Sequence, residues 1–336
     1  MSYSFLNFLL LIIIIVIIIV VFTIAFTYYY KICYYISDIA DKAKGLMPRL
    51  HSDDETMIKY PKIFPFRSYM IKYTDFSEEM ALLLGSVTRS AYNLSKNKES
   101  YLPEYLELIE SIGRNGYLLK VTNYEEGNNI YILAYRGTTT IDDLCTDIDS
   151  VQTDFIGLNR KKSKNIKVHR GFYTYWDDSK DELKDLKSKI RGNDILIITG
   201  HSLGCSSAAL SALSLSSYLS DVYIKLYMFA PPRLGNNEFI YQLDNLVPDN
   251  WAIINSSDIV PELPPVTLPT IGNNWIYDNW THKILLDIQY GSILLNHKLS
   301  TYMCGFNIDL DMCPSEYPKW NREYIKIIKA LDKADN

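Results

Sequence analysis

The chain is 336 residues long, 48% hydrophobic and 22% charged, with a formal net charge of −5. That length buries a full core in one large domain or two small ones. The acidic balance, with no basic stripe interleaved with aromatics, excludes nucleic acid as the expected partner. The five cysteines, at 33, 145, 205, 304 and 313, follow no metal-ligand or disulfide spacing. Free thiols are the expectation, with Cys304 and Cys313 the pair an oxidising compartment would join.

From the amino end, Phe5 to Phe26 holds 22 residues without a charge, interrupted only by Asn7 and Thr23. As a helix rising about 1.5 Å per residue it reaches about 33 Å, enough for a hydrocarbon core of roughly 30 Å. Tyr28, Tyr29, Tyr30, Tyr34 and Tyr35 follow, with Lys31 among them, where an interfacial aromatic belt falls. The length of the stretch, with no positive region before it and no small-residue cleavage site after it, predicts an uncleaved single-pass anchor rather than a signal peptide. Lys31, Lys42, Lys44 and Arg49 come after the span and no Lys or Arg before it. The positive-inside rule therefore places the large carboxyl-terminal part in the cytoplasm. Sequons at Asn93, Asn255 and Asn279 become acceptors if that part is lumenal instead.

Residues 27–66, with Asp53-Asp54-Glu55 and prolines at 48, 61 and 65, read as a linker, and 67–336 as the globular domain. Ser77 followed by Glu78 and Glu79 opens a predicted helix running to Tyr92. Ile130–Tyr135 is a predicted strand ending at Arg136-Gly137-Thr138, and Asp181–Ile190 a helix. Next come a buried strand at Ile195–Thr199, a helix from Cys205 to Leu213, and a strand at Val222–Ala230 stopped by Pro231-Pro232. Strands at Trp251–Asn255, ending at Ser256-Ser257-Asp258, and at Lys283–Ile288 complete the series. Strands alternating with helices imply an α/β fold around a mainly parallel sheet with helices on both faces. Such sheets bind ligands at the carboxyl ends of their strands.

Between the strand ending at Thr199 and the helix starting at Cys205 lie only Gly200-His201-Ser202-Leu203-Gly204. A turn that sharp strains its central residue and leaves no room for side chains two positions before and after it, where the two glycines stand. Ser202 therefore projects from the strand end above the first helix amides, as in a nucleophile elbow, and is the expected nucleophile.

A serine hydroxyl near neutrality needs a base within hydrogen-bond reach and a group to orient that base. Of the five histidines, His51 lies in the linker and His201 is directed away from Ser202 by the turn. His169 precedes the serine, whereas an elbow of this kind is followed by the acid and then the base. His282 leads straight into a strand and reads as packed. His297, on a loop beyond that strand and opening a predicted last helix, is the expected base. Asp258, ending a strand before the stiff run Pro261-Glu262-Leu263-Pro264-Pro265, is the expected acid, with Glu262 its rival. The oxyanion would take the amide of Leu203 and a donor from a second loop, for which Thr138 offers an amide and a hydroxyl.

Arg136-Gly137-Thr138, Val168-His-Arg-Gly-Phe172, Gly200-His-Ser-Leu-Gly204, Phe229-Ala-Pro-Pro-Arg-Leu-Gly235 and Asn255-Ser-Ser-Asp-Ile-Val-Pro261 resemble, in that order, the signature blocks of the class 3 (fungal-type) lipases. The resemblance covers roughly Phe76 to Phe306. It implies an α/β-hydrolase that cleaves acyl esters of glycerolipids without metal or organic cofactor. It also implies a Ser202–Asp258–His297 triad with Thr138 and Leu203 as oxyanion donors. Asp147 matches the family's acid that steadies the oxyanion-hole hydroxyl, and His282 matches a second, non-catalytic histidine. The chain departs from the family at Leu144, where Trp is usual, at Ala230 and Pro232, and in an Asp-to-His interval of 39 residues, short for the secreted members. The expected partner is a lipid surface. An acyltransferase or small-ester esterase on the same scaffold, or an inert membrane-tethered scaffold, is the alternative. Segment 139–165, with Ile141, Leu144, Phe155, Ile156 and Leu158 among polar residues, is where a lid over the serine would lie.

Overall fold

The computed structural model describes residues 64–67, 71–72, 75–96, 102–122, 128–137, 151–159, 162–219, 221–269, 274–290 and 293–306. The predicted anchor, most of the linker, Thr138, Leu144, Asp147 and the chain after 306 lie outside these residues. The strands in chain order are β1 (Leu106–Ile112), β2 (Gly116–Val121), β3 (Ile130–Tyr135), β4 (Gln152–Ile156), β5 (Lys162–His169), β6 (Ile195–His201), β7 (Tyr223–Phe229), β8 (Asn250–Asn255), β9 (Thr267–Pro269), β10 (Asn274–Ile276) and β11 (Lys283–Leu286). The helices are α1 (Glu78–Leu94), α2 (Arg170–Asp177), α3 (Lys180–Lys189), α4 (Leu203–Tyr218), α5 (Asn237–Leu246), α6 (Ile293–His297) and α7 (Leu299–Phe306).

Seven of these strands form one sheet in the order β1-β2-β3-β6-β7-β8-β11. The pairs from β3 through β11 are parallel, and the β1–β2 and β2–β3 pairs antiparallel. Every residue of β3 and β6 is buried, as a continuous apolar run requires when both faces of a sheet are covered. Alternate side chains divide between two layers. Ile130, Ile132, Ala134, Ile195 and Ile197 join a core shared with α1 and α7, and Thr199, in the same register, meets Thr88 of α1 at 3.1 Å. From the opposite face, Tyr135 places its hydroxyl 2.7 Å from Ser211 of α4.

α1 forms where the capping signal lies: the Ser77 hydroxyl accepts from the Met80 amide at 3.1 Å, and Glu78 and Glu79 face the positive helix end. Its buried stripe of Met80, Leu83, Leu84, Val87 and Ala91 follows the helical repeat. Each large apolar side chain there contributes about 1.5–3 kcal/mol.

The structure departs from the sequence reading in four places. Phe64 and Phe66 sit edge to face at 6.0 Å and Phe66 is in the core, so the linker ends before them. The second half of the expected lid is body: Phe155 packs at 5.7 Å from Trp176, and Leu158 is buried with its amide on Ser214. The antiparallel β1–β2 hairpin adds an edge that the strand–helix alternation did not include, although Asn115-Gly116 marks its turn. His297 ends the short helix α6 instead of opening the last one, and Thr301 turns the chain into α7 by donating to the Leu295 carbonyl at 2.6 Å.

Candidate active site

β6 runs directly into α4 through Ser202, whose backbone lies at φ 58°, ψ −129°, a region that side chains avoid. A Cβ on Gly200 would stand 2.5 Å from the Gly204 carbonyl oxygen, and one on Gly204 would stand 2.5 Å from that of Tyr135. The two glycines thus allow strand, turn and helix to pack at backbone contact. The Ser202 amide is tied to the Phe229 carbonyl at 2.9 Å. Its hydroxyl makes no capping bond to α4 and is left for another partner.

That partner is His297. Its Nε2 lies 2.8 Å from Ser202 Oγ and its Nδ1 2.7 Å from Asp258 Oδ2. A carboxylate only accepts, so Nδ1 carries the proton and Nε2 accepts from the serine hydroxyl. Asp258 is buried, which by itself would raise its pKa. The charge of the His297 imidazolium and the hydrogen bonds from His297, Tyr302 and the Val260 amide outweigh burial and hold the carboxyl below its usual value. Tyr302 donates at 2.6 Å; burial and the neighbouring carboxylate keep its phenol protonated by raising its pKa.

Two asparagines join the loop bearing Asp258 to the loop bearing His297. Asn255 donates to the carbonyls of Ile288 and Asn296 at 2.9 and 3.2 Å, and Asn296 donates to the Ser257 carbonyl at 3.0 Å. Buried and bonded in this way, Asn255 is closed to glycosylation in the folded chain. Asn279 is exposed, and its side-chain oxygen accepts from Arg233 at 2.9 Å. Glu262 is paired with Arg233 and its side chain is 67% exposed, so the rival acid faces away from His297. His282 stands before the amino end of β11, opposite the strand ends that carry the site, and its ring nitrogen meets the Asn250 carbonyl at 3.2 Å. His169 caps α2.

His201 points away from Ser202, as expected, but into the site. Its Nε2 lies 2.9 Å from the His297 carbonyl oxygen and its Nδ1 2.8 Å from the Tyr92 hydroxyl. Neither Tyr92 nor Tyr302 carried a signal in the sequence, since each is a single tyrosine within a helix with no motif around it.

Burial, reinforced by the charge His297 acquires, lowers the His201 pKa from 6.5 to about 3. The unfolded imidazole binds a proton below about pH 6.5, while the folded one stays neutral. Across that interval the unfolded state holds one more proton, so stability rises with pH by up to about 1.4 kcal/mol per unit. The Asp258 contribution has the opposite origin and is lost only below about pH 4. Urea midpoints measured from pH 6.5 down to 4 should therefore fall faster for the natural chain than for His201→Gln. Equal slopes would rule out a buried neutral His201.

Cys205 is free and buried, whereas Cys304 is disulfide-bonded, which corrects the expectation of free thiols throughout. Among the described residues no His, Cys, Asp and Glu side chains are grouped to hold a metal ion, and no helix is long and apolar enough to cross a membrane.

Residues 132–268 match the family model of the class 3 lipases. The chain is 29% identical over 157 residues to a lipase of Rhizopus niveus, a match covering 45% of this chain and 38% of the relative. It is 28% identical over 170 residues to a secreted mono- and diacylglycerol lipase of Malassezia globosa, covering 48% and 55%. The chain thus spans between about two-fifths and somewhat over half of these relatives' lengths. Among solved structures, a nonglycosylated lipase of Yarrowia lipolytica superposes with a TM-score of 0.50 at 19% identity, covering 63% of this chain and 81% of that one. With the mostly parallel sheet, this likeness fits an α/β-hydrolase. Residues 132–268 thus resemble the class 3 lipases, and the fungal relatives are similar to the chain over about the same share of its length.

Proposed function

We propose that this chain is a membrane-anchored serine lipase that hydrolyses acyl ester bonds of glycerolipids. The observation that carries the reading is the hydrogen-bonded line from Ser202 through His297 to Asp258, built on a strained elbow. Ser202 Oγ bonds to the ester carbonyl carbon as its proton passes to His297 Nε2, and Asp258 stabilises the imidazolium that results. The negative oxygen of the tetrahedral intermediate meets the Leu203 amide and the donors of Thr138, each such donor contributing about 10²–10³ in rate. A Cβ on Gly137 would stand 3.0 Å from Ser202 Cβ, so Gly137 itself lies beside the nucleophile. Asp147 is proposed to steady the Thr138 hydroxyl. Collapse of the intermediate breaks the carbon–oxygen bond, and the proton on His297 goes to the departing alcohol. Water then repeats the sequence on the acyl-enzyme.

The Malassezia relative's name makes mono- and diacylglycerols the first substrates to test. The apolar run 5–26 supports the anchor, and the disulfide at Cys304 favours the oxidising side of that membrane. Membranes carrying the full chain, washed at alkaline pH and given labelled diacylglycerol, should release fatty acid, and those carrying Ser202→Ala should not. Activity found in the wash would refute the anchor. Acyl transfer to an added alcohol without fatty acid release would make the protein an acyltransferase.

A further inference from the structure

A second hydrogen-bonded line crosses the site at right chemical polarity to the first. The Gly137 amide donates to the Tyr92 hydroxyl at 2.9 Å, that hydroxyl lies 2.8 Å from His201 Nδ1, and His201 Nε2 lies 2.9 Å from the His297 carbonyl oxygen. A carbonyl can only accept, so Nε2 carries the His201 proton, Nδ1 accepts, and Tyr92 donates to it while accepting from Gly137. Every donor on the line then has an acceptor, with His201 neutral.

The line ends on backbone at both sides of the nucleophile. At one end stands His297, the last residue of α6, where a helix leaves its carbonyls without intrahelical donors. At the other end stands Gly137, where an added Cβ would lie 2.6 Å from the Tyr92 hydroxyl and 2.7 Å from the His201 carbonyl oxygen. The His201 and His297 rings also lie against each other, with centroids 4.9 Å apart and planes 33° apart.

We propose that His201 and Tyr92 are positioning residues that hold the backbone of His297 and the end of β3 at fixed distances from Ser202. Their hydrogen bonds run to each other and to backbone, not to Ser202 Oγ or the His297 ring nitrogens. They set where the imidazole stands and where the oxyanion-binding loop begins. The proposal rests on the lipase reading, because it acts through His297.

The test compares Tyr92→Phe, His201→Leu, His201→Gln and Ser202→Ala with the natural chain. It uses p-nitrophenyl butyrate, with kcat, KM and the thermal midpoint measured for each. Tyr92→Phe keeps the ring and removes the hydroxyl, and kcat should fall about tenfold with KM within about twofold. His201→Leu removes the donor to His297 and should lower kcat about a hundredfold, as misplacement of a catalytic group by about 1 Å does. His201→Gln can return an N–H to the His297 carbonyl and should recover most of that loss, which a purely space-filling role would not allow.

Equal losses in the Leu and Gln variants, or a rise in KM in place of a fall in kcat, would overturn the proposal. If His201→Leu does not fold, Tyr92→Phe decides, and an unchanged kcat there overturns it. Turnover abolished by Ser202→Ala but untouched by the other variants would leave the lipase reading standing without this one. A folded natural chain with no turnover would remove both.

Discussion

Replacing Ser202 by alanine should leave a folded protein whose ester hydrolysis is lowered by about 10⁴- to 10⁶-fold. Alanine keeps the Cβ and therefore the same positive-φ backbone, so strain, glycine contacts and the amide bond to Phe229 are unchanged. Only the atom that attacks is lost. The three side chains act as one device: without the hydroxyl, the imidazole has no proton to take. Asp258→Asn by itself should cost about 10⁴-fold. An amide can donate toward Nδ1 and stabilise the tautomer that presents N–H, not a lone pair, to the serine. Joined to Ser202→Ala, neither Asp258→Asn nor His297→Ala should add a comparable further loss. Additive losses, measured as kcat/KM with melting curves to verify folding, would mean that the groups work separately.

Gly204→Ala should be severely damaging. The new carbon would stand 2.5 Å from the Tyr135 carbonyl oxygen and 2.7 Å from that of Arg136. Both belong to the backbone at the end of β3, which cannot rotate aside. The amino end of α4 must move away, carrying Ser202 and the Leu203 amide with it. A loss of about 3 kcal/mol and near-complete loss of activity are expected. Gly85→Ala is the useful contrast. Its added carbon meets Met303 Cγ at 2.9 Å, a flexible side chain that can shift, and alanine favours a helix interior by about 1 kcal/mol. Urea midpoints should fall sharply for the first variant and little for the second. A stable, active Gly204→Ala protein would mean that the elbow is looser than its contacts require.

What could be read in the sequence follows from which contacts are local. β6, the elbow and α4 are consecutive, and their geometry is dictated by neighbours two residues away, so Gly200, Ser202 and Gly204 were legible as a unit. Asp258 was legible because it ends a strand in a parallel sheet. His297 came from elimination among five histidines, although the short helix that ends on it was not foreseen. The residues that hold these groups were silent. Tyr92 bonds across 109 residues, Tyr302 across 44 and Asn296 across 39, and nothing in a tyrosine or asparagine announces such a partner. Phe155 and Leu158 were misread for a related reason. Apolar side chains among polar ones reveal that a face is covered, but not whether a mobile flap or the body covers it.

The proposal that Ser202 is the nucleophile, activated by His297 and Asp258, is tested most directly by covalent capture. The folded chain is treated with a fluorophosphonate and its peptides are mapped by mass spectrometry. A single adduct on Ser202 is expected, missing from Ser202→Ala and formed orders of magnitude more slowly in His297→Ala. An adduct on another residue, or none on the folded natural chain, would contradict it.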